Sequence, residues 1–130
     1  MSIQLILGGS FQGKLSFALQ LTGLSPDNVA DGGSPNDWLE KPILNGIHRG
    51  IRQLLLEESD PYTIVDKILD KNPNAVILCD EIGCGIVPLD PKEREYREVT
   101  GRICCMLAKQ AQRVIRVQCG IPQVIQGDPL

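Results

Sequence analysis

An α/β fold with a mainly parallel sheet is predicted by three features of this 130-residue chain. Two short apolar runs, "IQLIL" and "AVILC", each end in residues suited to chemistry: a glycine pair in one case, two acids in the other. Stretches with helical spacing separate these runs from each other and from a third, "VIRVQCG". Continuous apolar strands alternating with helices are the pattern of a parallel sheet covered on both faces.

Each element has its own signal. Residues 3–7 form a buried strand feeding Gly8-Gly9. Residues 14–22 suit a helix with Phe17, Ala18 and Leu21 on one face, stopped by Gly23. Residues 24–42 are rich in Pro, Gly, Asp and Asn and read mainly as loop, with "NVAD" as one short strand. Residues 43–57 read as an amphipathic helix with the stripe Leu44, Ile47, Ile51, Leu54 and Leu55. Asp60-Pro61 starts another helix, Asp as cap and Pro in the first turn, with Ile64, Val65, Ile68 and Leu69 facing inward. Asn72-Pro73-Asn74 ends it. "AVILCDE" is the second buried strand, and "IGCGIVPL" the loop after it. Asp90 with Glu93 resembles a capping box. The long helix it opens carries Tyr96, Val99, Ile103, Leu107, Ala111 and Val114. "VIRVQCG" is the third strand, and "QVIQ", after the Gly120 turn, an edge strand; about four strands are expected in all.

The bulk composition narrows the function. The length suits one domain over residues 1–130. A net charge of −3 argues against a general nucleic-acid binder. No apolar run reaches the roughly 20 residues of a membrane span, and the N-terminus has no export signature, so a cytoplasmic location is expected. The five cysteines are odd in number and lack C-x2-C spacing, and read as reduced, mostly buried thiols.

"GGSFQGK", Gly8 to Lys14, completes the phosphate-loop pattern G-x4-G-K in a strand–loop–helix setting. Such loops aim backbone N–H groups and a helix N-terminus at an anion, and a lysine reaches the outer phosphates. The expected fold is therefore a P-loop NTPase-like three-layer one, with a nucleoside triphosphate, ATP or GTP, as ligand. The candidate nucleotide-binding residues are Gly8, Gly9, Ser10, Phe11, Gln12, Gly13, Lys14, Leu15 and Ser16. The hydroxyl that usually follows the lysine and holds magnesium is replaced by Leu15; Ser16 comes one residue later. Asp80 and Glu81 close the second strand, where an acid can hold magnesium and another can serve as base. Lys14, Asp80 and Glu81 are thus the candidate catalytic residues, with Asp80 the candidate magnesium ligand. His48, the only histidine, lies beside an apolar helical stripe with Arg52 one turn on, so both can face one ligand.

The string "DEIGCGIVPLDPKEREYREVTGRICCMLAKQAQRVIRVQCGIP" closely resembles the C-terminal part of the adenosylcobinamide kinase/adenosylcobinamide-phosphate guanylyltransferase family, with its N-E-V-G-x-G-I-V-P and G-R-x-N-Q-x-L-A motifs. The family's G-G-x-x-S-G-K-S resembles the glycine loop. The match covers roughly residues 3–22 and 75–126. The resemblance implies a kinase and guanylyltransferase of cobalamin biosynthesis, which phosphorylates adenosylcobinamide and transfers GMP to it through a guanylylated histidine. It implies a corrinoid partner and a homo-oligomer. It adds Gly83, Gly85 and Arg102 to His48 and Arg52 as candidate substrate residues.

Three departures stand out. The family's serine after the lysine is Leu15, and its Asn-Gln pair is Cys104-Cys105. Its histidine segment R-I-x-x-H-x-x-x-R-P-x-x-W has no counterpart; residues 24–60 form a shortened replacement, and the guanylyl-carrying role is not transferred to His48. Asp31 is a candidate for an acid of the missing strand. A catalytically impaired nucleotide-binding protein with a regulatory or structural role is the alternative these departures raise.

Overall fold

The structure, a computed structural model, describes residues 2–10, 12–31, 35–81 and 90–130. Strands β1 (Gln4–Gly8), β2 (Val29–Asp31), β3 (Ile43–Asn45), β4 (Val76–Asp80), β5 (Arg113–Gln118) and β6 (Ile121–Gly127) form one sheet in the order β2-β3-β4-β1-β5-β6. Every pairing is parallel except β5 with β6. The helices are α1 (Lys14–Thr22), α2 (Ile47–Leu56), α3 (Pro61–Lys71) and α4 (Pro91–Gln110). The expected α/β class with a mainly parallel sheet is the observed one.

Side-chain alternation along the strands separates two cores. Leu5, Leu44, Ile77 and Val114 pack with Ile47 and Ile51 of α2, Val65 and Ile68 of α3, and Ile103 and Leu107 of α4. Ile6, Ile43, Leu78 and Ile115 point to the other face, where Ala18 of α1 closes the second core. The sheet is therefore the middle of three layers.

The helix boundaries follow from local chemistry. Asp60 and Asp90 accept hydrogen bonds from the backbone of Tyr62 and Lys92, and a proline opens each helix. Glu93 pairs with Arg52 rather than completing the expected capping box. At the far edge, Cys119 and Gly120 both adopt positive φ, the tight hairpin geometry that joins β5 to β6.

The strand count differs from expectation. Residues 43–57 are not one helix: Ile43–Asn45 is a strand, Gly46 turns with φ 77°, and the helix begins at Ile47. Three residues are too short to show a period of two. Leu44 also fills the same core as Ile47 and Ile51, so its spacing mimicked a helical stripe. Likewise Val114 belongs to β5, since α4 ends at Gln110.

Ile77 lies at the centre of β4 with no exposed surface. Ile77→Ala should cost about 2–5 kcal/mol of stability, whereas Ile125→Ala, at a side chain 56% exposed, should stay within about 0.5 kcal/mol. Urea unfolding of the two variants checks this.

Candidate functional site

Parallel sheets collect functional groups beyond the carboxyl ends of their strands. Here β1, β3 and β4 all end on one side, and a cleft of about 440 Å³ opens there. The glycine loop and the first turn of α1 form one wall, with Ser10, Gln12, Gly13, Lys14, Leu15 and Ser16. Asn45, Gly46, His48, Arg49 and Asp80 complete it.

The loop owes its path to two glycines. A Cβ at Gly8 would stand 2.5 Å from the carbonyl oxygen of Val117, so only glycine lets β1 run this close to β5. Gly13 takes φ 88° and caps α1, turning the chain into the helix. Gln12 ties the loop to the β5–β6 turn: its side chain accepts from the Cys119 N–H at 2.6 Å, and its carbonyl from Gly120 N–H at 2.8 Å.

At the bottom of the cleft the charged groups meet. The Lys14 ammonium, with 8% of its side chain exposed, sits 2.7 Å from Asp80 Oδ1. It also donates to the carbonyls of Gly8 and Gly9 at 3.2 and 2.7 Å. Ser10 Oγ donates to Asp80 Oδ2 at 2.6 Å. His48 Nδ1 accepts from the Asp80 backbone N–H at 3.2 Å, which leaves the neutral ring's proton on Nε2, 3.4 Å from Asp80 Oδ2. Burial raises the Asp80 pKa, but hydrogen bonds from Lys14 and Ser10 outweigh it, and the carboxyl is held below its ordinary value. Burial pushes the His48 pKa down; the Asp80 charge opposes this, and the charges of Arg49, Lys14 and Arg52 add to it.

The other candidate residues lie elsewhere. Glu81 pairs with Arg116 of β5 at 2.8 Å. Arg52 does not share the cleft with His48. Its guanidinium reaches both oxygens of Glu93 at 2.9 and 3.0 Å and lies 4.0 Å from the Tyr96 ring centroid, beside a second cleft. Arg102 pairs with Glu98 on the exposed side of α4. Asp31 pairs with Arg49 at 3.0 Å. Leu15 is half-buried against the second core, while Ser16 is exposed at the cleft. Phe11, Gly83 and Gly85 lie outside the described residues.

Sequence reasoning missed Asn45, Gly46 and Arg49. "PILNG", an apolar run closed by Asn-Gly, carried the strand-and-turn signal that finds them. The arrangement offers a fixed ammonium and a helix N-terminus to an anion, and a hydroxyl–carboxylate pair to a hard cation. Among the described residues, no group of three or more His, Cys, Asp and Glu is placed to hold a metal.

A neutral His48 leads to a prediction. Its titration midpoint, read from the only histidine Hε1 signal, should fall below 6.5. Asp80→Asn should lower it further, because the Asp80 charge is what holds it up. The linked stability is fully present above the unfolded value of about 6.5 and is lost as pH falls through the folded one. A midpoint at or above 6.5 would contradict this burial.

No curated protein matches the chain. Among solved structures it is similar to the flagellar accessory protein FlaH from Methanocaldococcus jannaschii, at 12% identity and TM-score 0.49, over 98% of this chain and 79% of that one. No described helix is long and apolar enough to cross a membrane. The family of cobinamide kinase / cobinamide phosphate guanyltransferase matches residues 48–125, which contain His48, Asp80 and all of α4. That span is more than half of the sequence, and the chain belongs to the cobinamide kinase / cobinamide phosphate guanyltransferase family.

Proposed function

We propose that the cleft beyond β1, β3 and β4 binds a nucleoside triphosphate, ATP or GTP, and that the chain is a kinase or nucleotidyltransferase of cobalamin biosynthesis acting on adenosylcobinamide. One observation carries the reading: Lys14, Ser10, His48 and Asp80 converge beside a glycine loop in a member of this family.

The side chains divide the work. Lys14, now held by two loop carbonyls and Asp80, turns its ammonium to the outer phosphates. The amides from Gly9 to Leu15 cradle them. Asp80 and Ser10 fit magnesium, which needs hard oxygens and keeps several waters and phosphate oxygens of its own. Bound there, magnesium would neutralise charge on the transferred phosphoryl group. His48 holds Asp80 in place through its backbone N–H and carboxylate. Arg49 and Asn45, which line the same cleft, are the groups proposed to meet the acceptor. The outer strand β6 exposes Ile121 and Ile125, which supports assembly of copies.

Leu15 favours a second reading, a nucleotide-binding protein with impaired catalysis. Its isobutyl group packs against the second core and cannot ligate a metal. In that case phosphate binding survives while metal-assisted transfer is weak.

Two expected outcomes follow from these roles. Lys14→Ala should weaken ATP or GTP binding at least about tenfold, or 1.4 kcal/mol, by isothermal titration; unchanged affinity for both nucleotides would overturn the proposed site. Leu15→Ser should strengthen the magnesium dependence of nucleotide binding, measured by titrating both proteins with and without the metal. If the natural protein already depends strongly on magnesium and the substitution adds nothing, Ser10 and Asp80 suffice and the impaired reading fails.

A further inference from the structure

Behind the cleft, on the face of β4 covered by α4, two thiols stand together. Cys79 immediately precedes Asp80 and has no exposed surface. Cys104, half-buried, comes from α4. Their Sγ atoms lie 3.7 Å apart, Cys104 donating to Cys79 while both are neutral. A disulfide needs about 2.05 Å between sulfurs, so a closure of under about 2 Å separates the pair from a bond. Cys79 Sγ also donates to the Asp80 carbonyl oxygen at 3.4 Å, and the Asp80 N–H reaches His48. The pair is thus wired to the cluster through one residue of backbone.

We infer that Cys79 and Cys104 are a reversible oxidation site, whose co-reactant is a hydroperoxide and whose disulfide displaces Asp80 and His48. Cys104 is the first to react, being the less buried of the two. Its thiolate attacks one peroxide oxygen; the S–O bond forms, the O–O bond breaks, and the departing oxygen leaves as water or an alcohol after taking up a proton. Cys79 then attacks the resulting sulfenic sulfur. The S–S bond forms, the S–O bond breaks, and hydroxide leaves with the Cys79 proton as water. Two electrons pass in total from the sulfurs to the peroxide.

The chemistry favours this order. Once Cys104 ionises, the Cys79 S–H can donate to the thiolate, and that hydrogen bond holds the Cys104 pKa below the ordinary thiol value despite burial. In reducing compartments, disulfides that do form are mostly transient and redox-sensing. Closing the bond removes the Cys79 proton, and with it the bond to the Asp80 carbonyl, while drawing β4 toward α4.

The test uses the full chain with Cys84, Cys105 and Cys119 replaced by serine, treated with hydrogen peroxide. Expected are loss of two hydrogens by mass spectrometry, loss of both alkylatable thiols, recovery with dithiothreitol, and a shift of the single His48 Hε1 signal. Cys104→Ala should show neither the bond nor the shift. If the triple variant does not fold, fragmentation mass spectrometry of the oxidised natural chain locates the linkage instead. Both thiols staying free, Cys104 running on to sulfinic acid without pairing, or a bond that leaves the His48 signal unmoved would each overturn the inference. None of these readouts requires the cleft to bind nucleotide.

Discussion

An ammonium taken out of water needs partners, and the geometry of the cleft follows from where Lys14 finds them. With 8% of its side chain exposed, it takes the carbonyls of Gly8 and Gly9 and the carboxylate of Asp80. An unpaired charge at such a depth would cost several kcal/mol. The lysine can reach all three only if the chain wraps tightly from β1 into α1. That wrap requires Gly8 to pass under Val117 without a side chain and Gly13 to adopt a left-handed turn. Asp80 can meet it only because β4 lies directly beside β1, Gly8 opposite Asp80 in register. One ion pair thus joins the loop to a strand far away in sequence, and Ser10 and His48 gather on the carboxylate it anchors.

Much of this was legible in the residues, and what was not has a physical reason. Helices announced themselves through end chemistry: Asp60-Pro61, Asp90-Pro91 and Gly23 act over three or four residues, within reach of sequence reasoning. β3 was missed because Leu44 shares the core of Ile47 and Ile51 and so extended the helical stripe, although the Asn-Gly turn after it was there to be read. The loop and Asp80 were legible as separate motifs. The bond between Asp80 and His48 was not, since it joins residues 32 positions apart through the pairing of β3 with β4. The pairing of Glu81 with Arg116 is of the same kind. Both adjacent acids were candidates for the chemistry, but only Asp80, the last residue of β4, joins Lys14; Glu81 lies just past the strand.

The departures from the family's motifs become intelligible as packing. Leu15 stands where the family's motif has a serine, and its side chain packs against the second core with Leu19, Phe17 and Val124. The hydroxyl that touches the acid comes instead from Ser10, inside the loop. Cys104 stands where an amide would, and its neighbour is another thiol, Cys79. A hydroxyl and an amide direct hydrogen bonds; leucine makes none, and the Cys104 thiol donates to Cys79. At both positions, then, the chain carries less hydrogen-bonding capacity than the motif residues would. Asp80 stands between them, with Ser10 on its carboxylate and Cys79 on its backbone carbonyl. His48 adds a third direction, accepting from the Asp80 backbone N–H and facing its carboxylate, so both ends of that residue are held from α2 as well as from the loop.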